Sequence, residues 1–171
     1  VNSAEDNEKL FNEELEKCGV EYFDYYLLHA MNSERFEKAK KYGSFEFLKK
    51  MKAEGKIKHI GFSFHDDVKL LEEMLTLWPE TEFVQLQINY IDWENPSIQA
   101  KECYDLCTKL GKPVIVMEPV KGGSLVNIPD EAKNVFAKLE GGSPASYAIR
   151  FAASFEGVFM VLSGMGNMDM V

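Results

Sequence analysis

The sequence predicts an α/β protein with a parallel sheet, part of a TIM (β/α)8 barrel that comprises about strands four to eight and their helices. Strand-like apolar segments alternate with helical patterns along the chain, which is typical of parallel sheets. The five strands start near residues 23, 57, 83, 113 and 158, so their starts are 34, 26, 30 and 45 residues apart. A complete barrel has roughly 31 residues per unit. Because the chain begins on a helix and ends just inside another, we expect a single domain, residues 1–171, truncated at both ends.

The first half of the chain contains two predicted strands, each followed by helical residues. Ser3 and Asp6 have the spacing of a capping box, which opens a helix, and Gly19 is suited to a helix end. The predicted elements are, in order, a helix over residues 3–18, a strand over 22–28, helical residues 34–54 with a break near Gly43, a strand over 57–62 and an amphipathic helix after Asp67.

The second half continues the alternation with three more strands. Asn95 followed by Pro96 is typical of a helix that begins with an N-cap and a proline in its first turn. The predicted elements are a strand over residues 83–90, a helix from Asn95 to about Leu110, a strand over 113–117, two helices after Pro129 and Ser143, a strand over 158–162 and a helix opened by Asn167. The extra helix accounts for the long interval before the last strand.

The composition indicates an ordered protein of the reducing cytoplasm. Hydrophobic residues make up 46% and aromatic residues 12% of the chain, enough to bury a core. A net charge of −9 argues against a nucleic-acid partner. No apolar run approaches the roughly 18 residues that cross a bilayer, and the first residues are polar, unlike a secretory signal. Three cysteines do not make a disulfide framework.

Two candidate functional residues follow the first two strands, where barrels place their working side chains. His29 comes after the first strand, and a histidine can bind or polarise a carbonyl oxygen near neutral pH. Ser63 comes after the second strand and could bond a ligand amide. The alternatives are a histidine bonded within its loop and a serine that, like His65, helps to cap the next helix.

The third strand carries three amides where a barrel strand is usually apolar. Gln85, Gln87 and Asn89 share one face because side chains alternate along a strand. An unpaired buried amide costs about 1–3 kcal/mol, so these side chains need partners. A polar ligand at the barrel mouth would supply them; the alternative is that they bond each other or water.

Glycine-containing turns follow the last two strands. Glu118 to Gly123 comes after the fourth strand and Ser163 to Asn167 after the fifth. The second turn opens a predicted helix, whose free N–H groups attract anions. Barrels often bind phosphate in the loops after strands seven and eight, so the two turns together predict a phosphate site.

Five motifs, in this order and at this spacing, give the chain a close resemblance to the C-terminal part of an aldo-keto reductase. The resemblance covers nearly the whole chain. It rests on Asp24–His29, Gly55–Ser63, Gln87–Tyr90, Glu118–Gly123 and Leu162–Gly164.

The resemblance implies an oxidoreductase that reduces a small-molecule carbonyl substrate by hydride transfer from NADPH or NADH. In that family a Tyr is the general acid, a Lys and an Asp tune it, and a His orients the carbonyl; His29 matches this catalytic His. Ser63 and Gln87 match the residues that hold the nicotinamide carboxamide. The remaining cofactor-binding residues implied are Glu118, Lys121, Gly122 and Gly123, near the diphosphate, and Ser163, Gly164, Met165 and Asn167, in the phosphate loop.

The sequence also departs from the family pattern. Phe64 follows the serine where the family usually has Asn, and Glu118 stands where many members place an aromatic residue. The Asp, Tyr and Lys of the catalytic tetrad belong to strands that precede this chain, so we expect the 171-residue chain alone to be inactive. The motif forms resemble a bacterial branch with a ferredoxin-like segment, which implies an iron–sulfur cluster outside these residues; Cys103 and Cys107 are predicted to be buried thiols.

Two other functions are considered. One is a metal-dependent barrel hydrolase that uses His29, His59 and His65, although no carboxylate–histidine spacing supports a metal centre. The other is a non-catalytic barrel remnant that serves as a binding or assembly module. For the chain alone we predict self-association, because strands near Tyr25 and Val161 would border open sheet edges.

Overall fold

The computed structural model describes residues 1–139 and 141–170 and contains a five-stranded sheet. The strands are β1 (Phe23–Met31), β2 (Ile57–Phe64), β3 (Phe83–Gln87), β4 (Val114–Met117) and β5 (Val158–Val161). They lie in the sheet in sequential order, and the pairs β1–β2, β2–β3 and β4–β5 are parallel. The predicted parallel sheet and its order are therefore confirmed.

Seven α-helices lie in the described part of the chain, between and beside these strands. The chain divides into two compact units, residues 1–85 and 86–171, and the single domain stays a prediction. The helices are α1 (Glu5–Cys18), α2 (Ser33–Lys41), α3 (Ser44–Ala53), α4 (Val68–Leu77), α5 (Ala100–Lys109), α6 (Asp130–Phe136) and α7 (Pro144–Ala153). Short 3-10 turns occupy Lys121–Gly123, Ala137–Leu139 and Met168–Met170.

Side-chain caps begin several helices as the sequence predicts. Asp6 N–H donates to Ser3 Oγ at 3.3 Å and Ser3 N–H donates to Asp6 Oδ2 at 3.1 Å, the reciprocal bonds of a capping box. Asp67 Oδ1 accepts from the N–H of Leu70 at 2.9 Å at the start of α4. Ser143 Oγ accepts from Ser146 N–H at 3.2 Å at the start of α7. These bonds satisfy N–H groups that the first helical turn leaves without partners.

The predicted helix start at Asn95 and Pro96 is wrong. Helix α5 begins at Ala100, because Gln99 has a left-handed φ of 53° that interrupts the helix. Asn95 instead closes a turn, in which its Oδ1 accepts from the N–H of Ser97 at 2.9 Å. Strand β3 is also shorter than predicted, because it ends at Gln87 and a turn begins at Tyr90.

The core of the first unit is aromatic. Phe45 of α3 stacks on Trp78 with ring centroids 4.6 Å apart and planes 7° apart, and Phe36 of α2 meets the same indole edge-on at 5.2 Å. Phe62 of β2 is fully buried beside them. Burying a side chain of this size stabilises the fold by about 1.5–3 kcal/mol, so these contacts hold the helices against the sheet.

The second unit has its own aromatic cluster, which joins α5, α7 and the segment before β5. The rings of Trp93 and Phe155 lie 4.3 Å apart, and Tyr104 contacts Phe155 at 5.2 Å. Tyr104 Oη donates to the carbonyl oxygen of Glu156 at 2.7 Å. Cys107 is fully buried, as predicted for a structural thiol, and burial raises its pKa to about 12.

Candidate functional site

His29 lies in a bulge at the carboxyl end of β1. The register between β1 and β2 shifts between Leu28 and Met31, and Ala30 has a left-handed φ of 54°. A bulge of this kind bends a strand and redirects a side chain. The His29 imidazole is exposed, and its carbonyl oxygen accepts from Arg35 Nη1 at 2.9 Å. The local backbone thus presents the imidazole to solvent at a strand end.

Ser63 supports this bulge from the neighbouring strand. Its side chain is fully buried, and its Oγ accepts from the N–H of Ala30 at 2.7 Å. A left-handed residue other than glycine costs about 1–2 kcal/mol, and this hydrogen bond helps to offset that cost. The hydroxyl proton of Ser63 remains a donor. Its predicted role toward a ligand amide stays a prediction.

Four polar residues of the second unit form a cluster, which we call the Asp92 network: Gln87, Asn89, Asp92 and Lys121. Gln87 Nε2 and Asn89 Nδ2 both donate to Asp92 Oδ2 at 2.8 Å. Lys121 Nζ lies 2.5 Å from Asp92 Oδ1 and 2.7 Å from Oδ2. Two of the amides predicted on β3 and beyond it therefore bond a carboxylate, rather than each other or water.

The Asp92 carboxylate is ionised although its side chain is only 1% exposed. Burial opposes its charge, but hydrogen bonds from Lys121, Asn89 and Gln87, together with the Lys121 charge, outweigh burial and hold its pKa below the usual value. An ionised carboxylate can only accept hydrogen bonds. The amide nitrogen of Gln87 must therefore face Asp92, and its Oε1 is the acceptor that points away.

Asp92 is the residue of this site that the sequence reasoning missed. The sequence predicted the amide face and Lys121 but did not assign the acceptor that these donors share. The available signal was chemical, since two amides and an ammonium group in one place require an anion. The turn that brings Asp92 next to Gln87 and Asn89 is local, since Asn89 Oδ1 accepts a hydrogen bond from Asp92 N–H at 2.9 Å.

The loop after β4 is tightly wound beside the network. Glu118 and Lys121 have left-handed φ angles of 57° and 50°, and Gly122 and Gly123 follow at 59° and 90°. The carbonyl oxygen of Glu118 accepts from Asn89 Nδ2 at 3.3 Å. A Cβ on Gly123 would meet no atom of the described residues within 4 Å. The loop therefore places Lys121 against Asp92 and leaves open space at Gly123.

The loop after β5 carries the other predicted phosphate contacts on an exposed surface. Leu162 N–H donates to Val116 O at 2.8 Å, so the loop leaves the sheet at the carboxyl end of β5. Gly164, Met165 and Asn167 are exposed and Ser163 is half-buried. Asn167 Oδ1 accepts from Met170 N–H at 3.1 Å and caps a single 3-10 turn. The phosphate contacts themselves stay predictions.

The histidines and cysteines of the described residues form no metal centre. Among the side chains that the structure describes, no group of three or more His, Cys, Asp and Glu residues could hold a metal ion. His59 Nδ1 lies 3.3 Å from Glu82 Oε1 on the surface of the first unit. Over the same residues, no helix has the length and apolar character needed to cross a membrane.

A sequential parallel βα sheet with polar side chains at the carboxyl ends of its strands is the arrangement expected for part of a TIM barrel. The chain belongs to the aldo/keto reductase family, whose family model matches residues 2–171. The resemblance in the sequence is therefore confirmed at the level of the family.

Individual similar proteins are themselves aldo-keto reductases, and the solved structures among them share the fold of this chain. A curated aldo-keto reductase of Mycolicibacterium smegmatis is 29% identical over 141 residues, which cover 82% of this chain and 47% of that protein. The holo form of the aldo-keto reductase AKR11C1 from Bacillus halodurans aligns with a TM-score of 0.75 at 20% identity, over 99% of this chain and 59% of that one. An aldo-keto reductase from Klebsiella pneumoniae in complex with NADPH aligns with a TM-score of 0.66 at 20% identity, over 90% and 52%. The chain thus spans about half the length of these relatives.

Proposed function

We propose that the protein carrying this chain is an NAD(P)H-dependent oxidoreductase that reduces an aldehyde or ketone to an alcohol. In this proposal the chain contributes His29 and part of the cofactor site. The observation that carries it is the Asp92 network, which binds the amide nitrogen of Gln87 at a strand end and so leaves the amide oxygen as an acceptor. The family and the NADPH complex of the Klebsiella pneumoniae relative support the cofactor class.

The residues present fit a nicotinamide dinucleotide. Gln87 Oε1 is suited to accept from the carboxamide, and the resemblance gives Ser63 a role toward the same group. Open space around Gly123 and Gly164 would let phosphate oxygens approach the backbone. When bound, the cofactor supplies the hydride for the carbonyl carbon. The iron–sulfur cluster has no support among the relatives described above, and it is not part of this proposal.

His29 is the residue of this chain proposed to touch the substrate. Its exposed imidazole can donate a hydrogen bond to a carbonyl oxygen and so orient the carbonyl. Both the Ser63 bond to Ala30 and the Arg35 bond to the carbonyl oxygen of His29 fix the backbone on which the imidazole stands. The proton donor of the reaction lies outside this chain in the proposal, as the resemblance implies.

Replacing His29 by glutamine is expected to lower kcat/KM for 4-nitrobenzaldehyde by about 100-fold, the loss that a misplaced reacting group can cause. NADPH oxidation by the intact protein, followed at 340 nm, measures the effect. His59→Gln is the matched control, because His59 pairs with Glu82 away from the bulge. Equal rates for His29→Gln and wild type would contradict the role of His29. NADPH binding without any carbonyl reduction by the wild type would favour a binding module instead.

We expect the 171-residue chain on its own to self-associate and to show no appreciable NADPH oxidation. Strands β1 and β5 are the two ends of the sheet, and end strands offer backbone N–H and C=O groups to a second chain. Tyr25 and Phe159 on these strands are each 43% exposed. Light scattering over a dilution series tests this; a stable species of 19.5 kDa at every concentration would contradict it.

A further inference from the structure

We propose that Asp92 is a positioning residue that fixes the Gln87 amide so that its oxygen, and not its nitrogen, is presented to the carboxamide of the cofactor. This inference rests on the proposed function and goes further, because Asp92 is not among the residues to which the resemblance gives a role. It follows from the hydrogen-bonding capacity of the four side chains in the Asp92 network.

The orientation of a glutamine amide is ordinarily ambiguous. Rotation by 180° exchanges oxygen and nitrogen with almost no change of shape, so only hydrogen-bond partners decide between the two states. Asp92 fixes the orientation of the Gln87 amide, because its Oδ2 lies 2.8 Å from Gln87 Nε2 and can only accept a hydrogen bond. The opposite orientation would place two oxygens, one of them charged, at hydrogen-bond distance. Gln87 Oε1 is therefore held outward.

Asp92 itself is held in place by its own turn. Asn89 Oδ1 accepts from the N–H groups of Asp92 at 2.9 Å and Ile91 at 3.2 Å, and Asn89 Nδ2 donates back to the carboxylate. The carboxylate is 1% exposed. A buried carboxylate bonded on both oxygens has little freedom to follow a rotating amide, so it acts as a fixed acceptor.

Lys121 makes this arrangement compatible with an anionic cofactor. Its ammonium group contacts both carboxylate oxygens of Asp92 and cancels the charge. A lone carboxylate near the site would repel phosphate groups. With the charge cancelled, the network presents a neutral acceptor to a carboxamide N–H. The ligand that fits this acceptor best is therefore a nicotinamide cofactor, whose pyridine ring carries a carboxamide. An analogue without the carboxamide N–H group loses the hydrogen bond to Gln87 Oε1.

The test measures NADPH affinity of the protein that carries this chain, by fluorescence titration, for wild type, Asp92→Asn, Gln87→Ala and the double variant. Asp92→Asn keeps the size of the side chain and removes the charge, so the Gln87 amide can turn. Each single variant is expected to weaken NADPH binding about fivefold, the effect of one hydrogen bond. Because Asp92 acts through Gln87, the double variant is expected to bind no more weakly than Gln87→Ala.

A second ligand separates positioning from general structural support. The 3-acetylpyridine analogue of NADPH replaces the carboxamide N–H2 by a methyl group. Its affinity is not expected to fall in Asp92→Asn or Gln87→Ala, because neither variant removes a hydrogen bond that this analogue makes. Circular dichroism checks that each variant is folded. If Asp92→Asn is not, side-chain amide NMR of wild type decides, since slow exchange of the Gln87 amide protons supports the bond to Asp92 and fast exchange contradicts it.

The outcomes separate the proposed function from the role of Asp92. Failure of the wild type to bind NADPH at all overturns both the cofactor site and the role of Asp92. Three results would overturn the role of Asp92 alone and leave the proposed function standing. They are an NADPH affinity that Asp92→Asn does not change, losses of affinity that add in the double variant, and an equal loss of affinity for the acetylpyridine analogue.

Discussion

Replacing Gly61 by alanine is expected to lower the free energy of unfolding by about 3 kcal/mol or more, at the upper end of overpacking effects. Gly61 stands in β2 opposite Phe83 of β3. A Cβ built on it would lie 2.3 Å from the Phe83 carbonyl oxygen and 2.9 Å from Cδ1 and Cδ2 of its ring. Neither can yield easily, because one is strand backbone and the ring is 1% exposed. The substitution must therefore push the two strands apart.

Urea denaturation followed by circular dichroism measures this change. Gly166→Ala is the matched control, since a Cβ there meets no described atom within 4 Å and its φ is not left-handed. We expect the control to unfold at the wild-type urea concentration. A Gly61→Ala midpoint equal to that of the control would show that β2 and β3 are not paired as described.

Replacing Lys121 by methionine is expected to lower the free energy of unfolding by about 2–3 kcal/mol at neutral pH. Methionine keeps the length of the side chain but leaves the buried Asp92 carboxylate without its counter-charge. Breaking a buried ion pair costs about 3–5 kcal/mol, and the effect is smaller here because the Lys121 side chain is 38% exposed. Gln87 and Asn89 still donate to the carboxylate in the variant.

The pH dependence identifies the source of this loss. In wild type the pKa of Asp92 is below its usual value, so its contribution to stability is present above the unfolded-state pKa, near 3.9, and is lost as pH falls through the folded-state pKa. In Lys121→Met, burial still opposes ionisation of Asp92, but the Lys121 hydrogen bond that favoured ionisation is gone. The difference in stability between variant and wild type should therefore shrink on acidification.

Unfolding at a series of pH values from 3 to 8 tests this expectation, with Lys133→Met as the control. Lys133 pairs with Asp130 on the surface at 2.9 Å, and both side chains are more than half exposed. Exposed pairs contribute little, so the control should match wild type at every pH. A Lys121→Met loss that stays constant from acid to neutral pH would show that Asp92 is not its origin.

The sheet was largely predictable because its signals are local. Alternation of apolar strands and amphipathic helices fixes a parallel order, and cap residues such as Asp67 and Ser143 mark helix starts through contacts within one turn. The start of α5 was not predictable in this way. Asn95 and Pro96 are residues that favour the N-cap and first positions of a helix, yet the left-handed backbone at Gln99 delays the helix to Ala100.

The position of the site was predictable from the sequence, but the hydrogen bonds among its side chains were not. Residues such as His29 and Gln87 follow from the rule that barrels act at the carboxyl ends of strands. The roles of Asp92 and Ser63 depend instead on a turn and a bulge that bring distant atoms within 3 Å. Separations of 29 residues between Asp92 and Lys121, and 33 between Ala30 and Ser63, leave no periodic pattern in the sequence.

Transfer of a deuterium label tests the proposed carbonyl reduction most directly. The intact protein is incubated with 4-nitrobenzaldehyde and NADPH that carries deuterium on the transferable position of its nicotinamide ring, and the alcohol is examined by mass spectrometry. We expect one deuterium on the former carbonyl carbon of each alcohol molecule, together with loss of NADPH in equal amount. Alcohol without deuterium, or no alcohol at all while the protein is folded and binds NADPH, would contradict the proposed hydride transfer.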